Sequence, residues 1–185
     1  MLPHPPRFLC DEAGYTLSEL LLALAVLAIV TALAIPSLTT LLLENRLTTY
    51  SNQLNGALQL ARSEAVKRGQ TTTFCGSHDG KTCAGSWNEG WLILAGSAPL
   101  QTFPALEGRI SLHFTLSNGT LSERIQFNAQ GFSIAYAGTW RFCDPRGSAH
   151  ARALLVNSSG RVSSARDSNH NGIPEDDQGQ ELLCS

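Results

Sequence analysis

Glu19 is the residue whose surroundings most demand chemistry. Leu17 precedes it, Leu20, Leu21 and Leu22 follow it, and no further charged side chain occurs before Glu44. A carboxylate within such a run costs about 3 kcal/mol on insertion scales unless a cation meets it. Gly14 lies five residues upstream, and a cut after it would create a free amine at Tyr15, four residues before Glu19. In a packed array of copies, the carboxylate of one chain could meet the amine of the next. The charge would then be satisfied only on assembly.

Other constellations are weaker. Asp167, Asn169 and Asn171, followed by Gly172, match the opening of a calcium loop, D-x-[DN]-x-[DN]-G. The twelfth position, where a bidentate Glu belongs, is Gln178, and Pro174 is awkward within the loop. Glu175, Asp176 and Asp177 offer carboxylates, but a polar turn closed by Cys184 explains the composition equally well. The expectation is no cofactor, with calcium as the one candidate. Arg161 and Arg166 could form a DNA-contacting patch. Val162-Ser163-Ser164 adds no further base and acidic residues follow, so solvated charges are expected and nucleic acid is not an expected partner. His78, His113, His150 and His170 are scattered, and no nucleophile elbow or HExxH motif occurs. Neither an enzyme nor a small-molecule substrate is expected.

Five cysteines are present. Cys10 lies ahead of the apolar run, whereas Cys75, Cys83, Cys143 and Cys184 lie beyond it and make an even set. In an oxidising compartment they would form two disulfides. Three pairings are possible, and Cys75–Cys83 with Cys143–Cys184 is the preferred one, the second tying down the C-terminal tail. A zinc site on Cys75, His78 and Cys83 fits no standard spacing. The net charge of −2 and the 15% charged residues differ from a strongly basic nucleic-acid binder.

These residues need elements to position them. Leu17 to Leu43 is a 27-residue apolar run interrupted only by Ser, Thr, Pro and Glu19, roughly 40 Å as a helix against a hydrocarbon core of about 30 Å. Pro36 interrupts it and predicts a helix kink. Leu47, Tyr50, Leu54, Ala57, Leu58, Ala61 and Ala65 then recur at spacings of three and four, the stripe of an amphipathic helix. Lys67 and Arg68 suit the last turn and Gly69 the stop. One helix from about Leu17 to Arg68 is expected. After it come short strand candidates: Thr71–Cys75, Trp91–Leu94, Ile110–Leu116, Arg124–Phe127, Phe132–Tyr136, Thr139–Cys143 and Ala153–Val156. Asn118-Gly119 is a hairpin-turn signal.

Gly14-Tyr15-Thr16-Leu17-Ser18-Glu19-Leu20 resembles the prepilin cleavage motif of type IV pilins and type II secretion pseudopilins. The resemblance implies cleavage after Gly14 by prepilin peptidase, N-methylation of Tyr15 and an assembly role for Glu19. Two features depart from it. The first mature residue is usually Phe, and the usually basic leader here sets Arg7 against Asp11 and Glu12, so orientation is weakly encoded. Leu58–Gly69 looks like the helix end of the GspH/FimT/FimU group of minor pilins and pseudopilins. So do Trp87-Asn88-Glu89-Gly90-Trp91, Ile125–Gly131, Phe142-Cys143-Asp144 and Ser159-Gly160-Arg161-Val162.

The resemblance implies an α+β, type IV pilin-like fold, with a long N-terminal helix packed on antiparallel sheets in a two-sheet head. Residues 1–14 would be a leader that is removed. Residues 15–43 would be the transmembrane and filament-core half of the helix, and 44–185 the periplasmic head with the helix's second half. The implied function is a minor pilin of a type IV pilus, held in the inner membrane before assembly. A minor pseudopilin of type II secretion is the nearest alternative, and a DNA- or calcium-binding module at a filament tip is one of another class. The implied partners are prepilin peptidase, other minor and major pilins or pseudopilins, and the inner membrane.

Overall fold

The computed structural model describes residues 14–133 and 135–184. The expected leader up to residue 13, with Arg7, Cys10, Asp11 and Glu12, lies outside the described residues, as does Ile134. By its internal packing the chain separates into Met1–Leu42 and Leu43–Ser185. Helix α1, Leu17–Arg68, contributes to both.

In the first unit α1 is apolar and exposed all round, with Pro36 inside the helix. Its most apolar 18-residue window buries nothing within the chain. A surface of this kind is stable only in hydrocarbon or against other chains. The hydroxyls of Thr31, Thr39 and Thr40 donate back to the carbonyls of Leu27 and Ala28, and of Pro36. These three threonine hydroxyls are therefore satisfied within the helix itself.

In the second unit the same helix buries Leu47, Leu54, Ala57, Leu58, Ala61 and Ala65, with Tyr50 half-buried among them. The 3–4 spacing of these residues thus becomes one face against protein. The helix ends where the sequence signals it. Gly69 takes φ +62, its N–H donates to Val66 O, and Gln70 N–H donates to Ala65 O at 3.2 Å. That double bond pattern is a Schellman cap.

Among the described residues eight strands follow: β1 Thr72–Gly76, β2 Trp91–Ala95, β3 Ala98–Phe103, β4 Ser111–Leu116, β5 Arg124–Phe127, β6 Gly138–Cys143, β7 Arg152–Val156 and β8 Val162–Ser164. They form two four-stranded antiparallel sheets, ordered β3-β2-β1-β5 and β4-β6-β7-β8. One core joins the helix stripe to both: Phe74, Trp91, Ile93, Ile125 and Phe127 come from the first, and Leu112, Phe114, Trp140, Phe142, Leu154 and Val156 from the second. The fold is the α+β arrangement expected, a long helix with a two-sheet head.

The segment Trp87–Trp91 seams the sheets together. Trp87 is fully buried against Phe74 and Trp140, and its indole N–H donates to Ser122 O. Asn88 Oδ1 accepts the Leu112 N–H at 2.7 Å, bonding a β4 amide from a loop. Glu89 Oε2 accepts from the Ser86 N–H and hydroxyl. Both disulfides join the pairs preferred from sequence, Cys75–Cys83 and Cys143–Cys184.

Three strand expectations need correction. Among its described residues Phe132–Tyr136 shows no strand: Ser133 N–H donates to Ser158 O and Tyr136 N–H donates back to Ser133 O, and Ile134 is not described. Despite its β-forming residues, the described amides of the segment are used outside any ladder, Phe132 N–H donating to Asn128 Oδ1. Strands β3 and β8 were not expected. β3 is an exposed edge carrying Pro99, tolerable only at an edge, and β8 is three residues long. Asn118-Gly119 does reverse the chain, but the return makes a single bridge, Thr115↔Leu121, before β5 crosses to the other sheet.

At Gly138 the backbones of β4 and β6 leave no room for a side chain. A Cβ there would lie 2.2 Å from Thr115 O and 2.7 Å from Leu116 Cα. Backbone cannot swing aside as a side chain can, so Gly138→Ala is expected to destabilise the head by about 2–3 kcal/mol. Chemical denaturation followed by tryptophan fluorescence reads this, since Trp140 is two residues away.

Candidate processing and assembly site

The N-terminal site is built on the first turn of α1. Gly14 and Tyr15 precede the helix, and both are exposed, Tyr15 at 89%. Thr16 O accepts the Leu20 N–H at 3.2 Å, which makes Thr16 the N-cap. Thr16 Oγ1 accepts the Glu19 N–H at 3.3 Å, and Glu19 Oε2 reaches back to the Thr16 N–H at 3.4 Å. This reciprocal pair is a capping box, and it places the carboxylate beside the positive end of the helix dipole. The signal Thr16-x-x-Glu19 is present in the sequence, but Thr16 was not singled out there. At 3.3–3.4 Å the bonds are long, so the local cap leaves most of the carboxylate's demand for a partner unmet. Glu19 and Tyr15 are thus presented together on one exposed end.

The next charge along the helix, Glu44, is held quite differently. Its carboxylate accepts from Arg146 at 3.1 Å and, on its other oxygen, from Arg152. Arg146 also grips Asp144 at 2.6 Å through Nη2, and both its Nε and its backbone N–H bond the same carboxylate. The hydrogen bond from Arg152 holds Glu44 below the ordinary carboxylate range. For Asp144, burial pushes the carboxyl up, but the Arg146 guanidinium and amide outweigh it and the net direction is down. Nothing in the local sequence announces this cluster, because Glu44 and Arg146 are 102 residues apart.

A second unforeseen junction lies at the far end of the helix. Arg62 Nε donates to Gly131 O at 3.0 Å. A Cβ on Gly160 would come within 2.2 Å of the same carbonyl oxygen. The glycines of two separate segments therefore close around one helix arginine.

The remaining candidates are placed as follows. In the 167–172 turn, Asp167 accepts the backbone N–H groups of Asn171 and Gly172, and Asn169 Oδ1 accepts that of Asn171. Asn171 Oδ1 accepts the Ile173 N–H, and its Nδ2 donates to Glu181. The oxygens that a calcium ion would need thus face backbone amides. Among the described residues no cluster of three His, Cys, Asp or Glu side chains is placed to hold a metal. Arg161 and Arg166 are exposed on either side of β8. Cys75 and Cys83 are consumed by their disulfide, while His78 bonds Ala84 O.

The carboxylates of the Glu44 cluster have depressed folded-state pKa values. Their stabilisation is complete above the ordinary carboxylate range and is lost as pH falls through the depressed values, below about pH 4. Glu44→Gln is expected to flatten the acid limb of the stability profile while leaving the fold intact. Denaturation midpoints of the full chain in detergent, compared between neutral and acid pH, measure it.

Comparison with known proteins agrees with this geometry. A family model described as type II transport protein GspH matches residues 51–160, and one described as the prokaryotic N-terminal methylation motif matches residues 10–35. No curated protein matches the chain. Two crystal structures of the type IV minor pilin FimU of Pseudomonas aeruginosa (strain PAO1) are similar to it. The first has a TM-score of 0.53 at 25% identity, covering 66% of this chain and 90% of that one. The second, from another crystal form, has a TM-score of 0.51 at 23% identity, covering 64% and 92%. An apolar N-terminal helix that anchors in a membrane, the methylation motif around Tyr15 and a two-sheet head now stand together: the chain belongs to the GspH family of pilin-like proteins.

Proposed function

We propose that the chain is a minor pilin of a type IV pilus, a structural and assembly-initiating subunit. The supporting observation is its likeness to FimU over 90% of that protein's solved chain. Prepilin peptidase cleaves it after Gly14 and methylates the new amine at Tyr15. The mature subunit waits in the inner membrane with its head in the periplasm. In the filament, Glu19 meets the amine of a neighbouring subunit, exchanging a long, weak local cap for an ion pair in a low-dielectric environment. The GspH description of the head favours a second reading, a minor pseudopilin of a type II secretion system, which uses the same parts in another machine.

Intact mass of the chain from native membranes tests processing. The expected mass lacks Met1 to Gly14, gains one methyl group and is short of four hydrogens for the two disulfides; an uncleaved chain overturns the proposal. Sheared surface filaments separate the two machines. The minor pilin is expected among them, whereas absence there together with a secretion defect in a deletion strain selects the pseudopilin.

Glu19 carries a sharper test because two roles converge on it. Glu19→Gln keeps the reach of the capping box and loses the charge, whereas Glu19→Ala loses both. Both variants are expected to be cleaved, and both are expected to fail in filament incorporation. Normal incorporation of Glu19→Gln would assign assembly to the cap and remove the charge-pairing role.

A further inference from the structure

The helix of the stored subunit meets the membrane surface at a defined place. Leu20 to Leu43 holds 24 residues without a charge, about 36 Å of helix. That equals a hydrocarbon core of about 30 Å plus one headgroup layer of about 6 Å. With Glu19 at one edge of the hydrocarbon, Glu44 and Arg46 emerge at the opposite phosphate plane.

Around that turn the head collects arginine. Arg146 and Arg152 are balanced by Glu44 and Asp144. Arg46 and Arg109 are exposed, and neither has an ion-pair partner among the described residues. Arg46 reaches the backbone next to Arg109: its Nη1 lies 2.9 Å from where a Cβ on Gly108, the preceding residue, would be. Glu107, exposed beside them, offsets one of the two charges. Asp177 bonds the Thr139 hydroxyl, at the opposite end of β6 from Asp144. The formal charges of the head from Glu44 onward cancel, and Arg46 and Arg109 against Glu107 leave an excess of one positive charge where the chain leaves the membrane.

We propose that Arg46 and Arg109 form a binding surface for anionic phospholipid headgroups on the periplasmic face of the membrane. Their long side chains keep guanidinium groups at phosphate level, in the manner of snorkelling residues, and two such cations draw on the attraction of basic residues to anionic lipid. The contact belongs to the stored subunit and does not depend on which filament the chain later joins.

The test uses the full chain in nanodiscs of phosphatidylglycerol or of phosphatidylcholine, with native mass spectrometry counting the lipids retained on release. Wild type is expected to retain phosphatidylglycerol over phosphatidylcholine by roughly tenfold. The Arg46→Gln/Arg109→Gln double variant, altered only at exposed positions, is expected to bring retention near parity. The control Arg161→Gln/Arg166→Gln is expected to behave as wild type. Equal retention of the two lipids by wild type, an undiminished preference in the double variant, or an equal loss in the control overturns the proposal.

Discussion

Burial of one helical stripe is the interaction on which the head depends. Two small sheets alone would leave Phe74, Ile125, Trp140 and Leu154 facing a gap; Leu54, Ala57, Leu58 and Ala61 fill it. The alanines matter as much as the leucines, since small residues allow backbone to approach backbone. Thr72 donates its buried hydroxyl to Ala61 O at 2.7 Å, so the first strand is bonded directly to the helix it follows. The head and the second half of the helix therefore form one folding unit, and the head cannot be stable without the segment that continues toward the membrane.

The same continuous helix serves two solvents. Over its first half every apolar side chain is exposed within the isolated chain, and backbone satisfaction is the only thing the helix supplies for itself. Glu19 and Glu44 bracket that stretch and are treated in opposite ways. Glu44 is fully occupied by two arginines of its own head. Among the described residues Glu19 has only a long cap within its own first turn, which leaves it chemically open to another molecule. A subunit that must be stable alone and also bind its neighbours needs both kinds of carboxylate.

Much of this was legible in the sequence because it is written locally. The prepilin-like motif, the charge-free run, the stripe from Leu47 to Ala65 and the Gly69 stop all follow from residues a few positions apart. Strands β5 and β6 were visible for the same reason. The Glu44–Arg146–Asp144 cluster and the closure of Gly131 and Gly160 around Arg62 were not, since each joins residues that only the fold brings together. Phe132–Tyr136 misled because its β-forming side chains say nothing about where its amides are used. β3 escaped because an edge strand need not alternate cleanly and can tolerate Pro99.

The Cys143–Cys184 bond has a mechanical consequence. It closes a covalent ring from the end of β6 to the penultimate residue, and β7 and β8 lie inside that ring. A load drawn along a filament reaches each head through its helix, and a sheet under such a load usually fails by peeling from a free end. Here the C-terminal end is not free. Tension carried into β6 meets a closed loop, and the last two strands cannot unzip one after the other; they must shear together or hold.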